Sequence, residues 1–292
     1  MARGLSAYNL TQMLPNVGVD ATNVRLAAVD DDLLTPIVRS VLRNGAADLV
    51  RWRCAQIHGG AGGGAGASAT AVYRYSGQAL AQGNLLPWSV ILKVLKTKDG
   101  DTPSASHYWR READAYLSGL LGTLPSGLAA PRCLSVSEHP GESIWLWLEE
   151  VTDAIVEWPL ERYGLVARQL GEFSADYLNG RLLPAWPWLS RGWIRHDLNQ
   201  IGVQLHRFRA NLHNPLMRRF FPGNSPAQIL RLWSERDAFL VALDNLPTTL
   251  CHYDAFRRNL FARRVDEKDQ TVLIDWAFLG IGPLGAEIVS SG

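Results

Sequence analysis

The residues with the clearest chemical potential are His252-Tyr253-Asp254-Ala255-Phe256-Arg257-Arg258-Asn259 and, sixteen positions after that asparagine, Asp275 at the end of Thr271-Val272-Leu273-Ile274-Asp275. An aspartate such as Asp254 can accept the proton of an attacking hydroxyl. Asn259, five positions on, offers a neutral oxygen to a hard cation such as Mg²⁺. An apolar strand that ends in a carboxylate is costly unless the carboxylate is paired or metal-bound. Plainer readings exist for each: Asp254 and Asn259 as turn formers after Pro247, Asp275 as the cap of a strand-end turn. Asp254, Asn259 and Asp275 are therefore the candidates for proton transfer and for holding a cation, beside these plainer readings.

These residues need elements to hold them. Asp30-Asp31-Asp32 suits the N-terminus of a helix over Leu33–Arg43, after a polar, loop-like start. Leu49–Ile57 reads as extended and runs into Gly59–Gly66, where six of eight residues are glycine. Such a run cannot be regular structure at low entropic cost. Ser68–Tyr75 alternates as a strand, so the glycines join a hairpin. A third strand, Ser89–Lys96, follows a Gly/Pro-containing turn. A charged helix over His107–Leu121 and strands near Arg132–Ser137 and Ser143–Leu148 complete a mainly antiparallel half. Past Val151 the spacing turns helical, over Trp158–Leu178 with Gly180 just beyond, near Ile194–Leu212 and over Pro226–Leu243. Leu183–Trp188 is a proline-punctuated loop, and Leu260–Arg263 with Thr271–Ile274 forms a hairpin turning through Asp266–Gln270. The expected architecture is α+β, with a β-rich lobe over residues 1–150 and a helical lobe over 151–292.

Lys93 lies in the apolar run Val90-Ile91-Leu92-Lys93-Val94, where an ammonium needs an anionic partner unless it snorkels from an edge strand. Lys96 is the competing lysine, on the opposite face of the strand. Glu112, within Trp109-Arg110-Arg111-Glu112-Ala113-Asp114, is a candidate partner. Its competitors are Asp114 and a reading of both acids as a solvated helix face.

His252-Tyr253-Asp254 through Asn259, followed by Ile274-Asp275-Trp276-Ala277-Phe278-Leu279-Gly280-Ile281-Gly282-Pro283, resembles the corresponding segments of the aminoglycoside phosphotransferase and choline kinase superfamily. Tryptophan after the second aspartate points to its small-molecule branch. The resemblance covers the chain from about Val50 onward, strongly at these two motifs and loosely elsewhere. It implies a protein-kinase-like two-lobed fold and transfer of the γ-phosphoryl group of ATP, with GTP as an alternative donor, to a hydroxyl of a small molecule such as a sugar, an amino alcohol or an antibiotic-like compound. Asp254, Asn259 and Asp275 would be catalytic, and Asn259 and Asp275 would hold Mg²⁺. Lys93 would contact the phosphates and Glu112 would pair with it. Gly62, Gly63 and Gly64 would cover the phosphates, with Ser68 beside them. Leu146–Val151 would be the hinge, presenting the Glu149 carbonyl and the Val151 N–H to the base. Between Asp254 and Asn259, either one of Arg257 and Arg258 would face the γ-phosphate, or both are surface arginines ion-paired with neighbouring acids. The chain departs from the family where Tyr253 replaces the usual glycine. The acidic residue that follows the glycine–proline turn would be Glu287. Gly292 comes only seventeen residues after Asp275, so a short C-terminal lobe is expected. A nucleotide-binding pseudokinase is the alternative. A hydrolase built on Asp254 and His252 lacks an oxyanion motif and a nucleophile elbow.

The composition agrees with such a protein. In 292 residues the net charge is +1, with 47% hydrophobic and 20% charged residues, which gives no electrostatic footprint for nucleic acid. No apolar stretch is long enough to span a bilayer, and a cytoplasmic location is expected. Cys54, Cys133 and Cys251 form no zinc or disulfide spacing and are expected as buried free thiols. The eleven tryptophans are expected chiefly in the core and between lobes, with one or two lining a pocket. Residues 183–226 hold six arginines and one acid, Asp197. That disfavours a strongly cationic acceptor and tilts the reading toward a sugar-like or aromatic one.

Overall fold

The computed structural model describes residues 29–57 and 71–286. The polar start, the glycine run with Gly62, Gly63 and Gly64, Ser68 and Glu287 lie outside the described residues.

Helix α1, Asp31–Leu42, begins as its acidic run dictates. The Asp30 carboxylate caps the Leu33 N–H, and Asp31 and Asp32 fill the first turn. Five strands follow in an antiparallel sheet ordered β1-β2-β3-β6-β5. They are β1 (Asp48–Ile57), β2 (Ala71–Ala81), β3 (Asn84–Lys96), β5 (Cys133–His139) and β6 (Ser143–Glu149). Strands β2 and β3 are longer than the sequence reading allowed. A two-residue turn at Gln82 and Gly83, both at positive φ, joins them and takes Pro87 into the strand.

Side-chain alternation assigns the faces. Trp88, Val90, Leu92 and Val94 of β3 pack with Trp145 and Trp147 of β6 toward Leu34, Ile37 and Val38 of α1. Ile91 and Leu95 join Ile144, Leu146 and Leu148 on the other face, against Ala113 of helix α2 (Arg111–Leu117). Lys93 shares the parity of Ile91 and Leu95, so it projects toward α2.

Helix α2 is shorter than the expected His107–Leu121. The Asp101 carboxylate takes the Trp109 N–H at 2.9 Å, and Gly119 turns left-handed at φ 76° before a short 3₁₀ turn at Leu120–Thr123. A minimal strand β4, Leu128–Ala129, pairs parallel with β10 (Lys268–Leu273), which pairs in turn with β9 (Leu260–Val265). The β9–β10 turn is only Asp266-Glu267, with φ 47° and 63°. A third small sheet, β7-β11-β8, joins Ser190–Arg191, Gly280–Pro283 and Thr248–Cys251.

Helix α3, Leu160–Leu178, buries Val166, Leu170, Phe173 and Tyr177 against Leu250, Leu260, Leu273 and Trp276. The i, i+4, i+7, i+11 stripe explains the burial. Polar groups fix its register. Arg162 reaches the Gln270 carbonyl at 2.9 Å and the Thr271 hydroxyl at 2.7 Å, and Thr271 donates to Gln169 at 2.6 Å.

The remaining helices are α4 (Trp193–Ala210), α5 (Pro215–Phe220), α6 (Ser225–Ser234) and α7 (Arg236–Asp244). Three of these differ from expectation. Helix α5 has no counterpart in the sequence reading, and Pro226–Leu243 divides at Glu235 into α6 and α7. Neither α5 nor α6 buries a side chain, so no core contact enforces one long rod. The result is the two-lobed α+β arrangement, sheet-rich first and helical after. No helix among the described residues is long and apolar enough to cross a membrane. Cys251 is buried, but Cys54 and Cys133 are exposed. That corrects the expectation of three buried thiols: both lie on the edge strands β1 and β5, each paired along one side only among the described residues.

Candidate active site

The catalytic-loop candidate, residues 252–259, leaves β8 and enters β9, while Asp275 follows β10. The two segments are tied together through His252, which is fully buried. Its Nε2–H donates to the Ile274 carbonyl at 3.0 Å, which leaves Nδ1 to accept the Asp254 N–H at 3.2 Å. The backbone partners fix this tautomer, since a carbonyl can only accept. Burial lowers the His252 pKa to about 4, so the ring is neutral near neutral pH. It also stands edge-on to Trp276, with centroids 4.5 Å apart.

Asp254 is held on both oxygens. Asn259 Nδ2 donates to Oδ2 at 2.7 Å and to the Asp254 carbonyl at 2.8 Å, and Arg258 Nη2 donates to Oδ1 at 2.9 Å. Burial first, then the charge of Asp275, raises the Asp254 pKa to about 6, against the pull of Arg258 and Asn259. Asn259 thus spends its amide nitrogen on holding Asp254.

Asp275 adopts a left-handed backbone at φ 65°, and its carboxylate meets Lys93 Nζ at 3.3 Å. Lys93 also donates to Glu112 Oε2 at 2.5 Å. Burial penalises the ammonium, but the charges of Asp275 and Glu112 outweigh it and the Lys93 pKa is raised. Lys93 in turn depresses the Asp275 pKa. Burial lifts Glu112 above the ordinary carboxylate range, with Lys93 opposing. The structure therefore brings Lys93, Glu112, Asp254, Asn259 and Asp275 into one connected site.

The segment expected as the hinge has contacts of its own. Glu149 ends β6, and its carboxylate is taken by Arg132 at 2.6 Å and Arg263 at 3.1 Å. Its N–H donates to the Arg132 carbonyl at 3.0 Å. Val151 follows outside the strand and is half-buried.

The two loop arginines separate. Arg258 stands on Asp254, whereas Arg257 points to Asp153 at 2.7 Å and stacks on Trp158 with its guanidinium carbon 3.9 Å from the ring centroid.

Sequence reasoning missed Asp153. Besides Arg257, its carboxylate accepts the Ala262 N–H at 3.0 Å, the Ile155 N–H at 3.2 Å and the Trp158 indole N–H at 3.1 Å. It pins the segment after the hinge to the start of β9. Its only sequence signal was an acid just past Val151.

Tyr253 explains the departure from the usual glycine. Its φ is 65°, a conformation that glycine adopts without strain. The tyrosine is held there by stacking on Trp193, with centroids 5.3 Å apart and planes 18° apart. It also fills the space over Gly282, where an added Cβ would lie 1.6 Å from the Tyr253 hydroxyl oxygen.

Among the described residues, no three His, Cys, Asp or Glu side chains converge to cage a metal ion. The donors at hand are one carboxylate and one amide oxygen. Both are hard oxygen donors of the kind Mg²⁺ accepts, so Asp275 and Asn259 would fit that ion.

No curated protein matches the chain. Among solved structures, a thermostable mutant of aminoglycoside phosphotransferase APH(4)-Ia in ternary complex with ADP and hygromycin B is similar at TM-score 0.43 and 14% identity, over 86% of this chain and 73% of that one. The GDP complex of wild-type aminoglycoside 2′-phosphotransferase-IIIa gives 0.38 and 9%, over 87% and 75%. A Plasmodium vivax ethanolamine kinase gives 0.41 and 10%, over 93% and 71%. The profile of the Phosphotransferase enzyme family matches residues 216–292, a segment that contains both motifs on which the family resemblance was read, His252–Asn259 and Ile274–Pro283.

Proposed function

We propose that this protein is a Mg²⁺-dependent phosphotransferase that moves the γ-phosphoryl group of ATP, or alternatively GTP, to a hydroxyl of a small molecule. The observation that carries this reading is that Asp254, held by Asn259, is tied through His252 to the backbone beside Asp275, whose carboxylate meets the Lys93–Glu112 pair. Asp254 is raised to about 6, so it is ionised near neutral pH yet basic enough to take a proton. Asp275 is depressed and stays anionic, as a metal ligand must.

Each residue has a distinct task in this reading. Asp254 orients the acceptor hydroxyl and receives its proton. Asn259 holds Asp254 through its nitrogen and would hold Mg²⁺ through its oxygen, together with Asp275. When bound, the ion neutralises charge between the phosphate groups and fixes their orientation. Lys93, kept charged by Glu112, lies where it can meet phosphate oxygens. Arg258, the arginine at Asp254, would stabilise charge on the transferring group, while Arg257 is committed to Asp153. The Glu149–Val151 hinge would take the base, and the glycine run with Ser68 would cover the phosphates.

The six arginines and single acid of residues 183–226 argue for a neutral or anionic acceptor, sugar-like or aromatic, rather than a polycation. A cytoplasmic setting supplies ATP and Mg²⁺ and keeps the exposed thiols reduced.

The test has two stages: titration of ATP and GTP with and without Mg²⁺, then transfer assays over a panel of sugars, amino alcohols and antibiotics. Mg²⁺-dependent nucleotide binding with transfer to one class of hydroxyl is expected. Nucleotide binding without transfer to any acceptor would overturn the enzyme reading in favour of a nucleotide-binding module.

A further inference from the structure

Arg111 opens α2, and its side chain is wholly buried. A guanidinium in the interior is costly and normally sits on a carboxylate. Arg111 forms no ion pair among the described residues and instead donates to four backbone carbonyls. Nε reaches Trp188 O at 2.7 Å, Nη1 reaches Ser106 O at 2.7 Å and Ala277 O at 3.0 Å, and Nη2 reaches Ala105 O at 2.5 Å. Burial lowers its pKa to about 10, which leaves it charged near neutral pH.

The identity of those carbonyls gives the interaction its meaning. Ala105 and Ser106 form the turn leading into α2. Trp188 and Ala277 lie 77 and 166 positions further along the chain. Ala277 stands two residues after Asp275, and Glu112 is the next residue after Arg111. One planar fork thus ties the backbone that carries Glu112 to the backbone that carries Asp275. Between those two acids Lys93 makes its bridge, at 2.5 Å and 3.3 Å. The same fork holds the loop in which Trp186 and Trp188 stack, with centroids 5.0 Å apart and planes 11° apart. A second contact runs in parallel: His107 of the same segment packs on Phe278, with centroids 5.4 Å apart.

We propose that Arg111 is a positioning residue. It sets the spacing of Glu112 and Asp275 across the two lobes, and it couples that ion triad to the Trp186–Trp188 loop. The first part concerns the unliganded protein alone. Its consequence for nucleotide binding rests on the phosphotransferase reading above.

The experiment uses the full chain with Arg111→Met, which keeps the volume, and Arg111→Lys, which keeps the charge but loses the fork. Amide hydrogen exchange is followed in the unliganded protein, well below each variant's unfolding temperature. Peptides covering residues 275–279 and 186–190 are expected to exchange about tenfold faster in Arg111→Met, because freed carbonyls release local opening. Arg111→Lys should show a smaller rise in the same two places, with α3 unchanged in both. An even rise across all peptides, or no rise at 275–279 in either variant, would overturn the proposal. If Arg111→Met does not fold, the location of the rise in Arg111→Lys decides the matter. A parallel titration of ATP should show the Mg²⁺-dependent gain in affinity reduced about tenfold in Arg111→Lys, with metal-free affinity within about twofold of the wild type. A wild-type protein that bound no nucleotide would sink the phosphotransferase reading, while the exchange pattern would still judge Arg111.

Discussion

Asp254 and Asp275 feel each other's charge, yet their surroundings push them in opposite directions. Around Asp254 there is deep burial, an amide donor and one half-exposed arginine, and the carboxylate is raised to about 6. Around Asp275 there is a buried lysine held by a second acid, and the carboxylate, 38% exposed on its side chain, is depressed. Two identical side chains therefore differ in proton affinity through placement alone. Such a split is how a single site separates a proton acceptor from a permanent anion.

The largest expected effect tests that split directly. Asp254→Asn should lower phosphoryl transfer by about 10²–10⁴-fold while nucleotide affinity in Mg²⁺ stays close to wild type. Asp275→Ala should instead remove the Mg²⁺-dependent part of nucleotide binding. Paired titrations and rate measurements would reverse the two roles if Asp254→Asn abolished binding and Asp275→Ala did not.

Next in size is the ion triad. Lys93→Met leaves Glu112 buried without its cation, and removing one partner of a buried pair costs about 3–5 kcal/mol. Asp275 adds little to that figure because water screens its exposed face. Denaturant unfolding with and without Glu112→Gln is the check. The double variant should recover part of the loss, and an additive outcome would show that Lys93 and Glu112 are not coupled in the folded protein.

The Asp254 side is held by a tight fit. Gly282→Ala places a methyl against the Tyr253 hydroxyl and should cost about 1–3 kcal/mol, as overpacking does. Combining it with Tyr253→Gly should remove that added cost, since the clash then has no second partner. Equal costs of Gly282→Ala in both backgrounds would mean that the loop is not braced at this point.

The smallest effect is a shift in pH dependence. Transfer should fall as pH drops through about 6, where Asp254 protonates. Arg258 lowers the Asp254 pKa, so Arg258→Ala should raise it and move the acid limb of the rate profile to higher pH, by up to about one unit. A limb that stayed in place, or moved to lower pH, would show that Asp254 is not the titrating group.

Much of this site was legible in the chain because it rests on local spacing. The five-residue step from Asp254 to Asn259 lets one side chain reach back to the other across a single loop. Two-residue alternation along β3 sends Lys93 toward α2 and Lys96 the other way. The apolar run ending at Asp275 marked a strand, and Asp30–Asp32 marked a helix start. Each of these signals is carried by residues within one element, where covalent geometry fixes relative direction.

What the sequence could not state depends on chain segments meeting. Nothing near Arg111 announces that its partners are carbonyls from Trp188 and Ala277, and backbone acceptors carry no side-chain signature. Arg257 and Arg258 are neighbours of one type, and only the fold sends one to Asp153 and the other to Asp254. The left-handed backbone at Tyr253 is paid for by Trp193 and Gly282, which arrive from two other elements. The opposite proton affinities of Asp254 and Asp275 belong to the same class. Residue types and spacing determined which groups were present and which way each pointed from its own strand or loop. Burial and the field of distant charges, which exist only once the lobes pack, decided what each group could do.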